Sequence, residues 1–168
     1  MVLLSVVLGG GMSSRLFQRI REELGLAYSV YTFQTFYASS GVQGIYVGTA
    51  PKTAEAALAA IESELEAVVS SGLPDDEIAQ GKGQLKGQIT LSLESPAARM
   101  YRAAATALYG EPYRTLDEML ALVEAIEPET VHDLARQYLA PDKQTVVSLG
   151  PGAARGGKTT KRRARQRR

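Results

Sequence analysis

The sequence predicts an α+β domain, an antiparallel or mixed sheet with helices packed on one face. Three observations carry that expectation. LAYSVYTFQTFY and VQGIYVGT are rich in β-branched and aromatic residues and are parted by the turn cluster Ala38-Ser39-Ser40-Gly41, the pattern of a hairpin. A run of helical patterns then fills most of the chain, and TVVSLG returns to strand composition near its end. Strands gathered first and helices gathered after them mark α+β, not an alternating βαβ chain.

Each element has its own reason. MVLLSVVL is the longest apolar opening; it reads as a core element, helix or strand by composition. It lacks a basic leading region and is far short of the roughly 20 residues that cross a bilayer, so neither a signal segment nor a membrane span is supported. Gly9-Gly10-Gly11 ends it. Ser13 or Ser14 is then placed to cap a helix in which Leu16, Phe17, Ile20 and Leu24 share a face, and Gly25 supplies the stop. After the hairpin, Ala54, Ala57, Leu58, Ile61, Leu65, Val68 and Val69 hold a 3.6-residue period over a helix from about Lys52 to Ser71, closed by Gly72. Pro74 with Asp75, Asp76 and Glu77 opens the next, since proline suits a first turn and acids suit the positive end of the helix dipole. That helix runs to about Glu94, Pro96 breaks it, and a further helix follows from Ala97 to Tyr109. Two shorter helices are expected, around Leu116 to Val123 and after Pro128. TVVSLG is expected as a closing strand. The domain is thus read as residues 1–151, with 152–168 a disordered basic tail.

Charge and composition exclude several functions. Residues 155 to 168 hold 8 of the 19 lysines and arginines and none of the 18 acids, so the rest of the chain is net −7 although the whole is +1. An acidic body argues against a nucleic-acid-binding fold, and the tail has no interleaved aromatic residue on which a base would stack. The absence of cysteine excludes disulfides and thiolate metal sites. Zinc catalysis needs about three protein ligands, whereas His132 is the only histidine and reads as a surface residue. No G-x-S-x-G elbow accompanies the serines.

Two glycine motifs invite a phosphate. Gly152 to Thr159 satisfies G-x-x-x-x-G-K-[ST], but only nine residues follow and no acid occurs after Asp142 to hold magnesium, so nucleotide binding is rejected. Gly9-Gly10-Gly11 lacks the G-x-G-x-x-G spacing, and reads better as a tight reversal between packed elements. The chain alone shows no catalytic machinery.

The same opening stretch carries a resemblance. GGGMSSRLFQRIREELGLAYSVY resembles the C-terminal domain of the insulinase/pitrilysin/mitochondrial processing peptidase family of zinc metallopeptidases, the inverzincins. GIYVGTAPKTAEAALAAIESEL, LPDDEIAQGKGQLKGQITLSLESPAARM and IEPETVHDLARQYLAPDKQTVVSLGP are similar, in order, to its later elements, over about residues 3 to 151. The resemblance implies a substrate-binding domain that faces a zinc-bearing N-terminal domain across a peptide cavity. H-x-x-E-H is absent here, so the resemblance places zinc, as the cofactor, in that partner domain or subunit. It further implies that Arg21 and Tyr28, in R-E-E-L-G-L-A-Y, reach substrate or the catalytic centre, with Gly25 bringing their elements together. An arginine offers a carbonyl a forked set of donors. A tyrosine hydroxyl donates where charge develops on the carbonyl oxygen. Because the family domain begins with a further strand, the chain is expected to be an N-terminally truncated fragment, or to need a partner or a second copy. We read it as cytoplasmic, with unfolded peptide as substrate. The alternative is a catalytically inert scaffold subunit of the same family.

Overall fold

The computed structural model describes residues 1–150; the basic tail and the G-x-x-x-x-G-K-[ST] match lie outside the described residues. Helix α1 (Val2–Gly9) opens the chain, which settles the apolar stretch as helix. A π-helical segment (Phe17–Glu23) follows. Strands β1 (Ser29–Phe36) and β2 (Gly41–Gly48) form the hairpin, and α2 (Ala54–Ser71), α3 (Asp75–Ser92), α4 (Pro96–Tyr109), α5 (Leu116–Glu124) and α6 (Pro128–Tyr138) complete the order. The sheet is antiparallel, in register from Ser29 opposite Gly48 to Phe36 opposite Gly41.

Alternation along the hairpin sorts its two faces. Val30 and Thr32 turn inward, and the Thr32 hydroxyl donates to the Ser5 carbonyl at 2.7 Å, tying β1 to α1. Tyr31 and Tyr46 stand opposite on the outer face with ring centroids 5.0 Å apart. The helices cover only the inner face. Their shared core gathers Leu3, Leu4, Leu8, Leu16, Ile20, Ile61, Leu65, Ile78 and Val131. The α1–α3 contact is close because Gly81 offers no side chain: a Cβ there would lie 2.4 Å from Val7 Cγ2.

Three expectations need correction. TVVSLG is not a strand: Val147 is 88% and Leu149 100% exposed, and β1 and β2 pair only with each other. A strand exists only by pairing, and among the described residues this segment has no neighbour to pair with. Ser14 does not cap the helix ahead of it. Its hydroxyl donates back to the Gly11 carbonyl at 2.5 Å, closing the glycine turn instead. His132 is not a surface residue; its side chain is 17% exposed and wedged against Gly72.

Candidate functional site

The site is built around the turn from Gly9 to Tyr28. The three glycines serve close packing. A methyl at Gly9 would sit 2.6 Å from the Thr32 backbone nitrogen, and one at Gly10 2.6 Å from Val6 Cα. The Gly10 carbonyl accepts from the Gln84 side-chain amide at 2.8 Å, which fixes the turn against α3. Arg15 then pins the next segment, donating from Nε to Glu64 of α2 at 2.8 Å and from Nη1 to Glu77 of α3 at 2.7 Å. Burial draws its pKa down, but the hydrogen bonds and charges of Glu64 and Glu77 outweigh that and hold it above the ordinary arginine value. Glu77 is therefore more than a first-turn acid. Sequence reasoning missed Arg15, because its partners lie 49 and 62 residues away.

Beyond Arg15 the backbone winds as a π-helix, with the Leu24 N–H bonded to the Arg19 carbonyl at 3.2 Å; past its end the Leu26 N–H closes the Gly25 bend on the Ile20 carbonyl at 2.9 Å. Such wide turns are rare and are found often at functional positions. Ile20 faces the core with no exposure, whereas Arg21, next along, is about half exposed. The Arg21 guanidinium stacks over the Phe17 ring, 4.8 Å from its centroid, and lies 3.5 Å from Glu22 Oε1. Gly25 has φ +59°, left-handed backbone that other residues adopt at a cost. No atom lies within 4 Å of a Cβ placed there, so this glycine is required for its dihedral angle and not, as expected, for close approach.

Tyr28 stands just past that bend at 69% exposure. Its N–H donates to the Gly48 carbonyl at 3.0 Å, and its ring lies over Gly48, where a Cβ would meet it at 3.0 Å. The phenol thus rides on the outer face of the hairpin, the same face as Tyr31 and Tyr46. Both residues singled out from the sequence are open to solvent on either side of one glycine bend, and no hydrogen bond joins them.

Among the described residues no three of His, Cys, Asp and Glu converge. His132 Nε2 faces the Leu73 backbone, 3.1 Å from both its N–H and its carbonyl, and Nδ1 lies 3.8 Å from Glu129. These residues do not fit a zinc centre. Among the described residues no helix is long and apolar enough to cross a membrane.

The sequence model of the family described as Peptidase M16 inactive domain matches residues 1–85. The chain is similar to an uncharacterized zinc protease of Streptomyces coelicolor, 42% identical over 90% of this chain and 33% of that protein. It is similar to another of Bacillus subtilis, 39% identical over 84% of this chain and 35% of that protein. It thus spans about a third of the length of these curated relatives. A crystal structure of a peptidase M16 inactive domain from Pseudomonas fluorescens shares the fold with a TM-score of 0.72 at 25% identity, covering 81% of this chain and 32% of that one.

Proposed function

We propose a role that proceeds from one premise: the chain belongs to the peptidase M16 family, as a C-terminal domain of its inactive type. In this reading residues 1–151 form one wall of a peptide cleft. The opposite wall is a zinc-bearing N-terminal-type domain or subunit that carries H-x-x-E-H and performs hydrolysis. The whole is a zinc metalloendopeptidase acting on unfolded peptide, which we place in the cytoplasm. Arg21 holds a substrate carbonyl through its forked donors. Tyr28 donates its hydroxyl to the carbonyl oxygen as negative charge grows there.

The observation that carries this reading is the paired exposure of Arg21 and Tyr28 across Gly25. Around it, the outer face of the hairpin offers Tyr31, Phe33 and Tyr46, each close to half exposed, to the apolar side chains of an extended peptide. A folded substrate lacks such a strand to present. Phe33 also lies across Gly44, so Gly44 and Gly48 of β2 are covered by the rings of Phe33 and Tyr28.

The test is reconstitution. The 168-residue chain is co-expressed with an H-x-x-E-H-bearing domain, and cleavage of an unfolded peptide is followed. Cleavage that needs both components supports the role. Equal cleavage without this chain contradicts it and favours the inert scaffold.

A further inference from the structure

Rings and glycines on the outer face of the hairpin make three stations in a line. At the first, the Tyr28 ring lies over Gly48, with Cζ and the hydroxyl oxygen 3.0 and 3.2 Å from where a Cβ would stand. At the second, Tyr31 and Tyr46 stand directly opposite and stack, with 27° between the ring planes. At the third, Phe33 lies across Gly44 so closely that a Cβ there would overlap the ring. Ser29 pairs with Gly48, Tyr31 with Tyr46 and Phe33 with Gly44. Successive stations are therefore two residues apart, about 7 Å along the strands. A ring laid across glycine has one flat side against the backbone and the other toward solvent, and Tyr31, Phe33 and Tyr46 all stay close to half exposed. Neither strand carries a charged residue.

We propose that this row selects the substrate, favouring an extended peptide with aromatic side chains two and four residues from the scissile residue, on one side of it. The inference rests on the reading above, in which peptide lies along this face with its scissile carbonyl at the Tyr28 hydroxyl. An extended peptide presents side chains to one face every second residue, so its repeat equals the spacing of the stations. With the scissile residue held over Gly48, the next side chain on that face meets the Tyr31–Tyr46 pair, and the one after it meets Phe33. The side chains between them point away, so those positions gain nothing from this face. Flat rings without a charged neighbour discriminate by stacking and not by charge, and each aromatic pair contributes about a two- to tenfold gain. Tyr31, Phe33 and Tyr46 are thereby specificity-determining residues, and Gly44 lets the Phe33 ring lie flat.

Two measurements separate this proposal from the cleft reading. The first needs no zinc-bearing partner: labelled Ala/Ser peptides holding two phenylalanines are titrated with the 168-residue chain and followed by fluorescence anisotropy. Phenylalanines two residues apart should bind about two- to tenfold more tightly than the same pair three apart, because only the former reaches two stations at once. Gly44→Ala, whose methyl displaces the Phe33 ring, should erase that difference while circular dichroism stays unchanged. Tyr46→Phe, which keeps the stack, should preserve it. The second measurement is a positional phenylalanine scan of cleavage by the reconstituted complex. The kcat/KM should rise at the second and fourth positions on one side and not between them, and Gly44→Ala should remove only the gain at the fourth. Binding that ignores the spacing, or no binding up to about a millimolar, overturns the proposal. Cleavage that requires this chain but gains at neither position overturns it and leaves the cleft reading standing, whereas equal cleavage without the chain overturns both.

Discussion

Helices α1 and α4 both carry large apolar side chains, and those side chains have opposite fates. In α1 every residue from Leu3 to Gly9 is buried; in α4 none is. Composition separates them in part, since α1 has no charge and α4 holds Arg99 and Arg102. Cover completes the difference: α1 lies between α3 and β1, meeting α3 at Gly81 and β1 at Thr32, while α4 is held by Arg99, Arg102 and a capping Ser95. Fully burying a leucine contributes roughly 1.5–3 kcal/mol, so α1 is part of what makes the domain stable. Helix α4 adds little of that kind, because Met100, Tyr101 and Leu108 stay exposed. The difference teaches that an apolar helix reports a surface to be covered, and the fold decides whether the same chain covers it.

The comparison breaks most sharply at paired leucines. Leu8, with no exposure, should cost about 2–5 kcal/mol when replaced by alanine. Leu108→Ala should change the stability of the dilute chain by less than about 0.5 kcal/mol, both read by urea unfolding. The reverse order would refute the assignment of core and free face. Next comes the α1–α3 contact. Gly81→Ala forces a methyl onto Val7 and should destabilise by about 1–3 kcal/mol. Gly87→Ala, in the same helix with open space around it, should instead stabilise by about 0.5–1 kcal/mol, because glycine is the poorer helix former. Equal effects of these two substitutions would mean that the helices do not touch at Gly81.

The smallest expected effect concerns pH. Hydrogen bonds from the Thr115 backbone and hydroxyl hold the Glu118 carboxyl below its ordinary value in the capping box of α5. A depressed folded pKa means stability that is present above the unfolded carboxylate value and is lost as pH falls through the folded one. Glu118→Gln, which removes the titrating group, should therefore flatten the acid side of a melting-temperature profile. A profile of unchanged shape would show that the box carries no linkage.

Much of this architecture was legible in the residues. The period of Ala57, Ile61, Leu65 and Val68 placed α2, and the break at Pro96 parted α3 from α4, because both depend on local spacing and backbone chemistry. What the residues hid depends on distant partners. TVVSLG has strand composition and no strand beside it. His132 lies 59 residues from the Leu73 backbone that it contacts, so a lone histidine on a polar-looking stretch read as surface. The π-helical winding of Phe17–Glu23 leaves no mark in a pattern that alternative helices satisfy equally. The motif named Arg21, Gly25 and Tyr28 as candidates, whereas Arg15, which anchors their segment to α2 and α3, carried no such mark.

The central claim is that Arg21 and Tyr28 complete a peptide cleft whose hydrolytic centre belongs to another domain. Its most direct measurement is the steady-state cleavage of an unfolded peptide by the reconstituted complex carrying Arg21→Ala, Arg21→Lys or Tyr28→Phe. Removing one transition-state donor should lower kcat by roughly ten- to a thousand-fold in the alanine and phenylalanine variants. Lysine should restore little, since it keeps the charge but lacks the fork. Wild-type kcat and KM in all three variants, in complexes that assemble normally, would contradict the account.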